Sequence, residues 1–488
     1  MARPLAGWTL SAAGDGTAQA YAARLLEELG ARVVTDRDAP DVRGALAPGE
    51  RGGAQTASDH EMWAASGAMA LTGEEDGAPR SPGWPVASAM AGAASVLELL
   101  TGFLGECVRV DGPALLGERA AHSGLGRRGA VSPGGSCRLV RCSDGWVAVN
   151  MARPDDEAMV PAWLGCPVEG DTGAVLARAV AGREAHALEE RAAMLGLPVA
   201  RLGSPEDVAR DDQGRARGQP WPVAPLRFEG GGTGGGPARP ARPLVVDLSS
   251  LWAGPLCANL LGAAGARVVK VESTDRPDGA RRGPPSFFDL LHAGHDSVAL
   301  PFDTDDGRRV LRALLGRADV VIESSRPRAM EQLGIDPREL AATGVTWVSI
   351  TAFGRTGPWS NRVGFGDDVA VAAGLVAGPA DAPLFCGDAV ADPIAGLHAA
   401  VGAVASRLGG GGHVVDVSMR EAVASALAPG RSPELVARRD REGWVLDVAG
   451  RPVPVAPPRS RPASGRARPL GSDNDRVVRE LTGTDPWR

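Results

Sequence analysis

The residue patterns that most often announce a reaction are missing from this chain. It holds no Walker-type loop, HExxH or GxSxG, so phosphoryl transfer, zinc proteolysis and α/β-hydrolase chemistry lose their usual support. What remains is a set of glycine-flanked carboxylates. Gly364-Phe-Gly-Asp-Asp-Val-Ala-Val-Ala-Ala-Gly-Leu375 puts Asp367 and Asp368 just before a small-residue helix, and Thr56-Ala-Ser-Asp-His-Glu-Met-Trp-Ala-Ala-Ser-Gly-Ala-Met69 puts Asp59 at the same kind of boundary. On spacing alone the commonest role of such an aspartate is to cap the helix. His292 and His295, in a loop-to-strand segment, read as structural, and six scattered cysteines (Cys107, Cys137, Cys142, Cys166, Cys257, Cys386) have neither CxxC nor Cys/His ligand spacing. Buried thiols are expected of them, with no disulfide framework and no metal site.

The elements that position these groups are read from an internal repeat. Ala23-Arg-Leu-Leu-Glu-Glu-Leu-Gly-Ala-Arg-Val-Val34 matches Ala258-Asn-Leu-Leu-Gly-Ala-Ala-Gly-Ala-Arg-Val-Val269 at 8 of 12 positions, at an offset of 235. Gly83-Trp-Pro-Val-Ala-Ser-Ala-Met-Ala-Gly92 resembles Gly387-Asp-Ala-Val-Ala-Asp-Pro-Ile-Ala-Gly396 at an offset of 304. The growing offset describes a short copy and a full copy of one α/β unit. In the full copy, strands over 243–248, 268–272, 319–322 and 345–350 alternate with helices over 255–264, 307–316 and from 329, which predicts a doubly wound, mostly parallel, Rossmann-like sheet. Its ligand crevice is expected at the carboxyl ends of the strands. The fold class is therefore α/β, with a truncated copy over 1–105, a small α+β domain over 106–228, a Gly/Pro-rich linker over 229–242, the complete copy over 243–428 and an Arg/Pro-rich tail over 429–488, expected to be disordered beyond 455. In the small domain, 136–150 predicts a hairpin turning at Ser143-Asp-Gly145, followed by helices over 173–180 and 183–195.

Composition excludes several partners. With 52 Lys+Arg against 59 Asp+Glu the net charge is −7, and nucleic acid, which needs clustered cations, is not expected. The chain has no apolar run of membrane-spanning length, and Met1-Ala-Arg-Pro-Leu5 does not read as a signal peptide; the expectation is a soluble cytoplasmic protein without a membrane partner. Arg fills the basic positions, and Lys270 is the single lysine, a hint that a compact ammonium is wanted there.

Several motifs in order carry a resemblance. Asp247-Leu-Ser-Ser-Leu-Trp-Ala-Gly-Pro255, Leu260-Leu-Gly-Ala-Ala-Gly-Ala-Arg-Val-Val-Lys-Val-Glu272, Asp278-Gly-Ala-Arg281, Glu323-Ser-Ser-Arg-Pro327, Ser349-Ile-Thr-Ala-Phe-Gly-Arg-Thr-Gly-Pro358 and Gly387–Gly396 together resemble the family III CoA-transferases, a group that includes formyl-CoA transferase, carnitine CoA-transferase and α-methylacyl-CoA racemase. The resemblance implies transfer of coenzyme A from an acyl-CoA to a small carboxylic acid through an aspartyl anhydride and an aspartyl-CoA thioester. It implies an ionised, desolvated aspartate, N–H donors for the oxyanion and exclusion of water. Asp367, Asp368 and Asp59 are the candidates: counting back from Gly374 lands on Gly366, a one-residue shift gives Asp367, and Asp59 to Gly67 keeps the family count. Asp367 is favoured because it shares a copy with the intact binding fold. Coenzyme A is expected against Leu251, Ala253, Gly254, Lys270, Arg281, Ser324 and Arg326, with Ser324-Ser325 replacing the family's usual Asn-Phe. The resemblance further implies interlocking protomers, and a homodimer is one expected assembly. Two other readings follow from the same likeness: a racemase or isomerase, whose downstream aspartate is matched by Asp388 but whose histidine is not matched, and an inactive homologue that only binds CoA.

Overall fold

Leu244-Val-Val-Asp247 is apolar on both faces, with Val245 and Val246 fully buried, which suits a strand covered on either side by helices. In the computed structural model, which describes residues 2–12, 14, 16–36, 41–46, 57–167, 170–231 and 242–483, this strand lies inside a seven-stranded sheet. The order is Asp296–Leu300, Arg267–Ser273, Leu244–Asp247, Val320–Glu323, Thr346–Thr351, His413–Ser418 and Arg227–Gly230. The first six run parallel and the last is antiparallel. From Leu244–Asp247 the chain first builds outward on one side and then returns to add Val320–Glu323 on the other. The strand order reverses between Asp247 and Glu323, and in sheets of this kind a crevice forms between the loops that follow such a pair of strands.

Two alanine-rich helices cover one face. Helix Ala253–Ala263 packs on helix Ala391–Leu408 so closely that a β-carbon on Gly396 would lie 2.5 Å from the Ala253 carbonyl oxygen. The N-terminal part of the chain repeats this contact. Strands Arg32–Val34, Thr9–Ser11 and Val42–Ala45 form a parallel sheet in that order, and helix Thr17–Glu28 meets helix Val86–Gly102 where a β-carbon on Gly92 would lie 2.5 Å from Ala18 O. Between these parts, Cys137–Arg141, Trp146–Asn150 and Val199–Arg201 form an antiparallel sheet. Helices Pro154–Leu164, Thr172–Val180 and Ala185–Leu195 close it over Trp163, Leu176 and Leu188.

Three details differ from the sequence reading. Helix Ala253–Ala263 starts two residues early, because Ala253 and Gly254 are its first turn rather than a preceding loop. Glu229 and Gly230, assigned to the linker, complete the edge strand by pairing with Val414 and His413; linker residues 232–241 lie outside the described residues. The largest difference is the tail. From 456 to 483 it is tied down along its length: Ala456 N–H donates to Ala64 O, Arg461 pairs with Glu118, and helix Asn474–Thr482 buries Val477 and Val478 beside strand Asp296–Leu300. Its arginines meet carboxylates already placed by the fold, which composition alone does not reveal. Of the cysteines, Cys107 is exposed and Cys166 half-buried; the other four are buried. Among the described residues no helix is long and apolar enough to cross a membrane.

Candidate active site

Asp367 and Asp368 sit in the first turn of helix Gly366–Ala372 and point to different neighbours. Asp368 performs the capping role: its Oδ1 accepts the Phe365 N–H at 3.0 Å and Asn150 Nδ2 at 2.8 Å, tying the helix to the small sheet. Burial pushes its carboxyl up to about 7. Asp367 Oδ1 accepts the Ala389 N–H at 2.8 Å. Burial, then the charge of Asp388, raise Asp367 to about 6, against the pull of Arg119, the Ala389 N–H and the Ser132 hydroxyl.

The loop that offers this N–H is bent into the left-handed region, with φ of +67° at Gly387 and +47° at Ala389. Among the described residues four non-glycine residues have such a φ, and two of them, Leu251 and Ala389, border this site, as expected where the surroundings over-determine a strained backbone. The Gly387 N–H donates to Thr72 Oγ1 at 3.0 Å. Asp388 is buried and bound by Arg119 through Nε–Oδ2 at 2.8 Å and Nη2–Oδ1 at 2.5 Å. Asp392, in the first turn of helix Ala391–Leu408, accepts the Ala253 N–H; burial lifts it to about 7, with Arg119 pulling down and Asp367 pushing up. Three carboxylates and one guanidinium therefore meet at the N-terminal end of helix Ala253–Ala263.

Asp59 stands apart from this cluster. Ser58 caps helix Asp59–Ser66, and Asp59 Oδ1 accepts the Ser88 N–H at 2.8 Å, while Oδ2 has no partner. Burial raises it to about 7. His60 bonds Ser81 Oγ at 2.7 Å.

The residues expected at coenzyme A collect around the loop after Asp247, yet two of them face inward. Lys270 is buried; its Nζ donates to Ser249 O and lies 3.0 Å from Asp278 and 3.4 Å from Asp247. Burial would lower its pKa, but Asp247 and Asp278 outweigh this and raise it. Arg281 pairs with Glu272 at 2.6 Å and stacks on Phe288. Asp278 accepts the Leu251 N–H at 2.9 Å and Ser324 Oγ accepts the Ser250 N–H at 3.1 Å. Lys270, Asp278 and Ser324 thus hold the loop that carries exposed Leu251, while the Ala253 N–H is already occupied by Asp392. Arg326 is half-buried, and burial together with the guanidiniums of Arg328, Arg153 and Arg276 pushes its pKa below the usual arginine value. Four cations share that corner. His186, Glu189 and Glu190 bring potential ligand atoms together in the small domain, but both glutamates are engaged by Arg362.

A sequence model of CoA-transferase family III matches residues 47–223 and 243–443. The chain belongs to CoA-transferase family III. Among similar proteins, the succinyl-CoA–D-citramalate CoA-transferase of Chloroflexus aurantiacus is 30% identical over half of this chain and 65% of its own. A probable CoA-transferase of Mycobacterium tuberculosis is 28% identical over 58% of this chain and 36% of its own, and the succinyl-CoA:glutarate CoA-transferase of Mus musculus is 28% identical over 41% and 50%. This chain therefore spans less than two thirds of the length of these relatives. A crystal structure of a CAIB/BAIF family protein from Brucella suis aligns over 43% of this chain and 65% of its own at 29% identity, with a TM-score of 0.38.

Sequence reasoning singled out Asp367, Asp368 and Asp388 but passed over Arg119, Ser132, Asn150 and Asp392. Arg119 lies 269 residues from its partner, beyond any local pattern. Asp392 carried a faint signal, a lone carboxylate at the head of the long small-residue helix 391–408.

Proposed function

We propose that this chain transfers coenzyme A between an acyl-CoA thioester and a small carboxylic acid through an aspartyl anhydride and an aspartyl-CoA thioester. The observation that carries this reading is the meeting of Asp367, Asp388 and Asp392 with Arg119 at the head of helix Ala253–Ala263. A thioester attacked there by a carboxylate expels CoA thiolate and leaves an anhydride, and the thiolate then displaces the acid. Each exchange moves one acyl group and needs no proton. What the site must supply is an ionised carboxylate in a dry place, and Arg119 opposes the burial that would otherwise keep these groups protonated. The Arg326, Arg328, Arg276 and Arg153 corner suits the phosphates of coenzyme A. Lys270 and Arg281 act through the 249–254 loop rather than on the phosphate.

The two-copy organisation is part of the proposal. It is supported by the paired contacts Gly92–Ala18 and Gly396–Ala253, which fall at the two sequence offsets of the repeat. The names of the relatives, which include succinyl-CoA as donor and malate, glutarate or oxalate as acceptor, suggest a short acyl-CoA and a small dicarboxylic acid. The test is to incubate the protein with succinyl-CoA or acetyl-CoA and a panel of such acids, then separate the CoA esters by chromatography. A new CoA ester is expected; none with any acid, while CoA still binds, supports the binding-only homologue. Deuterium entering the α-carbon of a branched acyl-CoA without an acceptor supports the racemase.

A further inference from the structure

We propose that the carboxylate that attacks the thioester is Asp392, on the long helix, rather than Asp367. This rests on the CoA-transfer reading above. Four carboxylates stand at the site, each accepting at least one hydrogen bond, and they differ in how enclosed they are. Asp388 has both oxygens on Arg119, Asp368 holds Phe365 and Asn150, and Asp367 holds Ala389; all three are buried. Asp392 is half-buried, the least enclosed of the four. It is also the member that touches the helix following the crevice loop, through the Ala253 N–H. A nucleophile must reach the thioester carbonyl, and of these carboxylates Asp392 has the most exposure.

The N-terminal half of the chain points the same way. Asp59 and Gly366 each begin a short helix and each precede by eight residues a left-handed glycine, Gly67 with φ +87° and Gly374 with φ +92°. Each helix start faces the first turn of a long helix, at Ser88 in one half and Asp392 in the other. Where Asp59 brings a carboxylate from the short helix, the long helix offers only a serine. Where the short helix has Gly366, the long helix brings Asp392, whose Oδ2 lies 2.2 Å from the position of a Gly366 β-carbon. One carboxylate is kept at this place in both halves, supplied from opposite helices, and two would not fit. Burial raises the Asp392 carboxyl to about 7, and a carboxylate of higher pKa is the stronger nucleophile once ionised.

The step balances without a proton or a redox partner. An Asp392 oxygen bonds to the thioester carbon and the C–S bond breaks, giving a mixed anhydride and CoA thiolate. The thiolate attacks Cγ of Asp392, and the donor acid leaves with one former Asp392 oxygen. The acceptor acid then runs the two steps in reverse. Asp367 and Arg119 set the charge around Asp392.

The test is to trap activated carboxyl groups with hydroxylamine during turnover of succinyl-CoA or acetyl-CoA and to locate the hydroxamate by peptide fragmentation, which separates residues 388 and 392. A hydroxamate on Asp392 is expected, lost in Asp392→Asn, with transfer falling at least about 1000-fold in that variant. A hydroxamate on Asp367, Asp388 or Asp59 overturns this assignment and leaves the CoA-transfer reading standing. None on any aspartate overturns both. The wild-type map decides between these outcomes even where a variant fails to fold.

Discussion

Arg119 grips Asp388 with two parallel donors, Nε at 2.8 Å and Nη2 at 2.5 Å, across 269 residues of sequence. The pair joins helix Glu118–Ser123 to the strained loop that presents the Ala389 N–H. A bidentate guanidinium fixes orientation as well as charge, so this one contact sets both the shape and the ionisation of the cluster.

Removing it has two separable effects. Arg119→Ala leaves Asp388 buried without its cation, expected to cost about 3–5 kcal/mol in chemical denaturation. Because Arg119 pulls the pKa values of Asp367 and Asp392 down, its loss raises them, and the acid limb of the rate profile moves to higher pH. Arg119→Lys keeps the charge and loses the fork, so it should restore most of the pH profile while leaving stability reduced. An unmoved acid limb in both variants would contradict this account.

Gly366 is the residue the site least tolerates enlarging. A β-carbon there would lie 2.2 Å from Asp392 Oδ2 and 2.4 Å from the Ala389 carbonyl oxygen, which is backbone and cannot swing away. Gly366→Ala is expected to cost about 1–3 kcal/mol and to abolish transfer. A stable, fully active Gly366→Ala would show that Asp392 is not held at this place.

Asp368 makes a pH prediction whose sign is fixed. Its folded pKa, raised by burial to about 7, lies above its unfolded value of about 4. The stability it contributes is present below about pH 4 and lost as pH rises through 7. Asp368→Asn keeps the bonds to Asn150 and Phe365 without ever ionising. Its melting temperature relative to the parent should therefore rise between pH 5 and pH 8. The difference is the readout because buried His295 and His398, lowered by burial to about 4, destabilise the parent in acid. A difference independent of pH would contradict the assignment.

The tail acts as a strap. Glu118 is 1% exposed and Arg461 is its cation, while Asn474 pairs with both the N–H and the C=O of Ala299 on the outermost strand. Arg461→Ala is expected to cost about 3 kcal/mol, and removal of residues 456–488 to lower the melting temperature further. Unchanged melting in the truncated chain would show that these contacts carry no stability.

How much of this was legible in the sequence follows from the range of each interaction. The strands around Asp247 and Glu323 and the turn at Ser143-Asp144-Gly145 are local patterns, and the helix start at Asp367-Asp368 is marked by neighbouring residues. Arg119 and Asp392 acquire their roles only when distant segments meet, so no window contains them. Lys270 was legible only in part for a related reason. Its position near the crevice was readable, but not that Asp247, Asp278 and Ser249 O surround the ammonium and turn it inward. The tail was misread because arginine-rich composition resembles disorder until Glu118 and Asp296 are seen waiting for it.

The most direct test of the central claim uses an acceptor acid labelled with ¹⁸O in its carboxylate. In the anhydride route the acceptor attacks an aspartyl-CoA thioester and leaves one oxygen behind on the protein when it departs as a CoA ester. A single turnover should therefore raise the mass of the peptide carrying Asp388 and Asp392 by one ¹⁸O-for-¹⁶O exchange, and repeated turnover by up to two, as each carboxyl oxygen in turn leaves with the donor acid. CoA transfer proceeding with no label in any aspartate would contradict the account.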